Sequence, residues 1–169
     1  MFAEILVLVA LPLLLTAAAG WDIASFTIPN FLTLALLAAF AAFAVAANLS
    51  LPIIGWHMLA GFVGLFVGFT LFALGYVGGG DAKLFAAVVL WLGLKDLLPY
   101  ALLASVLGGV LAFALMLLRR HPLPVFLMRQ AWLVKLHDAQ SGVPYGVALA
   151  AGAFFLLPST EVFRLAAGA

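Results

Sequence analysis

Six apolar runs, at roughly residues 2–19, 31–48, 56–76, 82–94, 97–118 and 143–158, take up most of this chain and leave few positions for charge. About 20 apolar residues are what a helix needs to cross a bilayer. Soluble domains carry about 25% Asp, Glu, Lys and Arg, whereas this chain carries 8%. It cannot build a charged shell, so lipid is the solvent for most of its surface. Lipid offers no partner to an unpaired backbone group, so the spans are helices. The expected fold is an all-α membrane protein, a polytopic bundle of about six transmembrane helices. It forms one integral membrane domain over residues 1–169 with no soluble domain. The fourth run is short; the sequence predicts that it tilts little, thins the bilayer, or begins at the membrane surface. The first run ends in small residues, Thr16 to Gly20, as a secretory signal does, but it lacks a basic start and carries Glu4. It is read as the first transmembrane helix.

Charge sets the expected orientation. With six spans, the connections after the first, third and fifth helices share one side. That side holds Lys83, Arg119, Arg120, Arg129 and Lys135; the other holds Lys95 and Arg164. Basic residues gather in the cytoplasm, which places both termini outside. Asp22, after the first run, and Asp81, opening the fourth, then share the cytoplasmic boundary. Asp138 shares that side in a basic stretch, while Glu4, Asp96 and Glu161 fall opposite. The net charge of +1 does not suggest a nucleic-acid partner. With no cysteine there is no disulfide, iron–sulfur cluster or thiolate zinc site. His57, His121 and His137 lack metal-ligand spacing. No metal or cofactor is expected.

Two stretches carry chemistry. In Gly78-Gly79-Gly80-Asp81-Ala82-Lys83, three glycines free the backbone for positive φ and close approach. They are expected to hold Asp81 on a flexible, uncrowded loop that an extended peptide can reach. In Trp21-Asp22-Ile23-Ala24-Ser25-Phe26-Thr27-Ile28-Pro29-Asn30, Asp22 sits in a short turn, with Pro29 and Asn30 opening the second helix and Trp21 as an interfacial anchor. Each Asp alone also reads as a helix cap or a solvated turn residue. Together they read differently, because a charged Asp within a membrane segment costs roughly 2.5–3.5 kcal/mol. Two carboxylates close together share one proton. The ionised member can take a proton from a water that attacks a peptide carbonyl, and the protonated member can bond the developing oxyanion.

Asp22 followed by Ile28-Pro29-Asn30, then Gly78-Gly79-Gly80-Asp81-Ala82-Lys83-Leu84, then Pro144-Tyr145-Gly146-Val147-Ala148, resembles the type IV prepilin peptidase family over nearly the whole chain. The likeness is greatest to the short form associated with tight-adherence (Flp-type) pili. The resemblance implies a bacterial inner-membrane aspartic endopeptidase that removes the short basic leader of a prepilin at the cytoplasmic face, usually just after a glycine. Asp22 and Asp81 match the catalytic pair. The implied substrate has a hydrophobic N-terminal helix; the other partner is membrane lipid, and a homo-oligomer is compatible with this composition. Residues 23–27 lack the basic residue that members often carry there. The cysteine-bearing insertion of the long, methylating members is also missing, so cleavage without N-methylation is expected. Lys83 reads mainly as a boundary lysine, and Pro144, Tyr145 and Gly146 as a possible wall of the substrate cleft.

Elsewhere, Gly61, Gly64 and Gly68 are spaced for close helix packing, and His57 reads as a polar residue at the outer boundary. Residues 119–142 read as a basic surface anchor against anionic lipid, or as a lid or substrate platform. The competing function is a proton- or cation-coupled transporter using Asp22 and Asp81 as relay carboxylates, which predicts acids near the bilayer midplane and an inverted repeat. A structural subunit in which both acids are caps is the third reading.

Overall fold

The computed structural model describes residues 1–124 and 126–167. Eight α-helices and no strand occur among them. They are α1 (Phe2–Ser25), α2 (Asn30–Ala46), α3 (Leu51–Ala73), α4 (Gly79–Leu92), α5 (Leu94–Leu118), α6 (Ala131–His137), α7 (Tyr145–Leu156) and α8 (Glu161–Ala167). By length and composition α1, α3 and α5 can each cross a membrane; α2 and α7 are shorter apolar helices. The six apolar runs are therefore present with altered bounds. The first extends six residues past its expected end at 19, to Ser25. Two helices, α6 and α8, were not expected. In α1 the ladder widens to a π turn at Leu6–Ala10, where Leu11 donates to Leu6. Pro12, next along the chain, has no N–H to donate to the Leu8 carbonyl, a common cause of such bulges.

The short fourth run becomes the core of the bundle. Ala82 and Leu84 through Leu92 of α4 are all buried. Its 14 residues span about 21 Å at 1.5 Å each, less than the ~30 Å of a hydrocarbon core. Protein surrounds it, so it need not match the lipid. α3 packs on it through the glycine stripe. A Cβ built on Gly61, Gly64 or Gly68 would lie 3.2 Å from Leu90 Cβ, 3.0 Å from Val89 Cβ or 2.9 Å from the Ala82 carbonyl oxygen. The packing role expected for these glycines is what the structure shows.

His57 corrects the sequence reading. It is buried, not at an interface, with Nδ1 2.8 Å from the Leu90 carbonyl oxygen and its ring 5.2 Å from that of Phe40. α4 stops at Leu92 because Gly93 adopts φ +88°, which leaves Leu90 among the final carbonyls with no helical partner. A carbonyl only accepts, so Nδ1 carries the proton. Trp91 Nε1 donates to the Leu36 carbonyl at 3.0 Å, and Tyr100 Oη donates to Leu149 at 3.1 Å. Each of these three side-chain donors is thereby satisfied.

Candidate active site

The antiparallel run of the helices brings the end of α1 and the starts of α2, α4 and α7 to one end of the bundle. Asp22 lies in the last turn of α1, not in a loop, and is 4% exposed. The helix stops three residues later, where Phe26 adopts φ +57° and donates its N–H to the Asp22 carbonyl at 2.7 Å. Trp21 is half exposed and meets Phe31 edge-on at 5.5 Å, as a boundary anchor does.

Asp81 also departs from expectation. It sits in the first turn of α4 with Gly78 as N-cap, and its Oδ2 accepts the Gly78 N–H at 3.3 Å. Gly78 has φ −73°; the positive φ nearby belongs to Gly75, at +78°. The glycines serve close approach rather than a loose loop. A Cβ on Gly80 would lie 3.1 Å from both the Cβ and the backbone nitrogen of Ile28, and one on Gly79 would lie 3.4 Å from the Phe72 ring.

Gly146 meets Asp22 from the other side. Its N–H, free at the start of α7, donates to Asp22 Oδ2 at 2.7 Å. A Cβ there would lie 2.9 Å from that oxygen and 3.0 Å from Ile28 Cδ1. Ile28 is thus seated between Gly146, which holds Asp22, and Gly80, which precedes Asp81. The two carboxyl groups are near enough for the charge of Asp22 to act on Asp81.

Asp81 opens onto a cavity of about 160 Å³ between α3, α4, α5 and α7, otherwise lined by residues such as Leu71, Phe85, Ala104 and Tyr145. The Tyr145 ring lies against Gly108, where a Cβ would be 3.1 Å from it. Pro144 caps α7 and is buried. Pro29 caps α2, and Asn30 Oδ1 accepts from Lys83 Nζ at 3.0 Å. Lys83 therefore ties α4 to α2 and makes no hydrogen bond or ion pair with either Asp. Among the described residues no group of three or more His, Asp or Glu side chains is arranged to hold a metal.

A scan against family models matches residues 9–113 to the type IV leader peptidase family. The chain belongs to that family. The matched segment includes both acids but not Tyr145 or Gly146, which reach the site from outside it. Among curated proteins, the prepilin leader peptidase/N-methyltransferase of Bacillus subtilis (strain 168) is 39% identical over 122 residues, covering 66% of this chain and 46% of that protein. The chain thus matches less than half the length of this relative. No solved structure matches it.

In this leader peptidase family member Arg119 and Lys135 both donate to backbone carbonyls. Arg119 Nε and Nη2 donate to the Leu136 carbonyl at 3.0 and 2.9 Å, and Nη2 also to Gly142 at 2.7 Å. Lys135 Nζ donates to the Ser25 carbonyl at 2.7 Å and lies 5.2 Å from the centre of the Phe26 ring. This contact fastens α6 over the last turn of α1, one turn from Asp22. Sequence reasoning missed Ile28, Gly108 and Arg119 in these roles. Only Arg119 gave a local signal, as a cation at a helix C-terminus.

Proposed function

We propose that this chain is a membrane-embedded aspartic endopeptidase that removes the leader of a type IV, Flp-like prepilin. One observation carries the reading: α1 and α4 bring two acids, remote in sequence, to one end of the bundle, with one held by a buried N–H and the other facing a cavity. The pair shares one proton. The ionised carboxylate takes a proton from a water, and that water attacks the carbonyl of the scissile peptide bond. The protonated carboxyl bonds the oxyanion. Transfer of a proton to the leaving nitrogen then splits the C–N bond. The N–H of Gly146 keeps Asp22 oriented through the cycle. The apolar cavity next to Asp81 suits one apolar side chain of the substrate, whose hydrophobic helix enters from the bilayer while its basic leader stays at the cytoplasmic face. The site would lie in the bacterial inner membrane, within a single membrane domain. The lack of cysteine supports cleavage without N-methylation. Both acids occupy terminal turns of helices, which favours a protease over a relay of midplane carboxylates.

Co-expression with a prepilin and a gel assay for leader removal tests the reading. Asp22→Asn and Asp81→Asn should each abolish cleavage while the protein still accumulates in membranes, because an amide cannot shuttle the proton. Asp96→Asn and Asp138→Asn should leave cleavage largely intact. Cleavage by either of the first two variants would assign the chemistry to another group.

A further inference from the structure

Two grooves flank α3, and they end on opposite charges. One is the cavity that ends on Asp81. The other lies between α2 and α3. These helices are joined by residues 47–50 alone, yet they meet chiefly through Phe40 and His57; each packs mainly on α4 instead. The gap between them is a groove of about 660 Å³, floored by Ala86, Ala87 and Leu90 of α4. Its walls are apolar along their length. Where α4 begins, the groove ends on Asn30, Thr33 and Lys83, and Lys83 is its one charged lining residue. Lys83 has three donors. One meets Asn30 Oδ1, and no carboxylate lies within ion-pair distance of it among the described residues.

We propose that this groove binds one anionic phospholipid, with an acyl chain along the α4 floor and the phosphate on Lys83. An apolar groove facing a bilayer is filled by hydrocarbon, since a void forfeits contacts on one side. Charge selects the occupant. A substrate with a basic leader is repelled by Lys83 and attracted to the groove that ends on Asp81. An apolar helix from a second copy fills the space but leaves the ammonium without a counter-charge. An anionic lipid meets both demands. The site does not depend on peptide hydrolysis.

The full chain, purified in detergent, is titrated with phosphatidylglycerol or phosphatidylcholine of matched acyl length, and bound lipid is counted by native mass spectrometry. Retention of phosphatidylglycerol should exceed that of phosphatidylcholine by about fivefold, the contribution of one lysine at a membrane surface. The preference should shrink as salt is raised. It should vanish in Lys83→Gln and persist in Lys83→Arg. Ala41→Trp, which fills the groove wall, should lower retention of both lipids with Lys83 untouched. Circular dichroism of each variant establishes that it is folded. Equal retention of the two lipids by the wild-type chain, full preference in folded Lys83→Gln, or competitive displacement of the lipid by a prepilin peptide would overturn the proposal.

Discussion

Replacing Gly146 with alanine tests how tightly the site is built. The added methyl group would lie 2.9 Å from Asp22 Oδ2 and 3.0 Å from both Asp22 Cβ and Ile28 Cδ1. The first is shorter than real Cβ contacts and the other two are tight, so the Asp22 carboxylate, α7 or the last turn of α1 must shift by a few tenths of an ångström. The shift lengthens the 2.7 Å bond from the Gly146 N–H to the carboxylate. A hydrogen bond to a charged group contributes about 1.5–3 kcal/mol, and overpacking of a filled core costs about 1–3 kcal/mol. Thermal unfolding in detergent should register a loss of about 2–4 kcal/mol. The rate should fall as well, by up to about 10²-fold, the effect of a full displacement of about 1 Å at a reacting group. The assay is a cleavage time course on the purified protein and a prepilin, with kcat and KM separated; the fall should appear in kcat. Gly109→Ala is the control, because nothing lies within 4 Å of a Cβ there. Wild-type turnover and stability in Gly146→Ala would show that this N–H does not hold Asp22.

Three further substitutions probe the frame around the site. Gly68→Ala drives a methyl group to 2.9 Å from the Ala82 backbone oxygen and should destabilise the bundle by about 1–3 kcal/mol; Gly55→Ala, in the same helix with open space around it, should be neutral or stabilise by up to about 1 kcal/mol. Equal melting shifts for the two would refute the packing assignment. His57→Ala strips the Leu90 carbonyl of its donor and should lower stability by about 1–3 kcal/mol, whereas a solvated boundary histidine would be silent in the same melt. Arg119→Ala removes three hydrogen bonds to the chain around α6 and should make residues 120–143 several-fold more sensitive to limited proteolysis; unchanged sensitivity would mean that the connection is held by other contacts.

The parts legible in the sequence share one property: each depends on local composition. The apolar runs, the glycine stripe at 61, 64 and 68, and the two acids beside their turn residues could all be read within a window of a dozen positions. The misreadings arose where a neighbour from elsewhere decided the outcome. Asp22 looked like a turn residue because Trp21 and Ser25 are tolerable in either state, and Phe26 terminates the helix by a left-handed φ that its side chain does not announce. The triple glycine looked like a flexible, uncrowded loop, but Ile28 crowds its third member. His57 looked like a surface residue because nothing near it in the chain reveals the Leu90 carbonyl 33 positions away.

By itself the sequence determined that lipid must be the solvent, that the spans must be helical, and that two acids stand at the ends of apolar runs, since each follows from hydropathy and backbone hydrogen bonding alone. The tertiary structure alone decided that α4 is the buried centre and that Ile28 packs between Gly146 and Gly80. It also decided that Gly146, 124 residues from Asp22, supplies the hydrogen bond to its carboxylate. The physical reason is that such contacts depend on which helix faces pack together. A face is selected by the combined fit of all the helices, and that fit is not a property of any one segment.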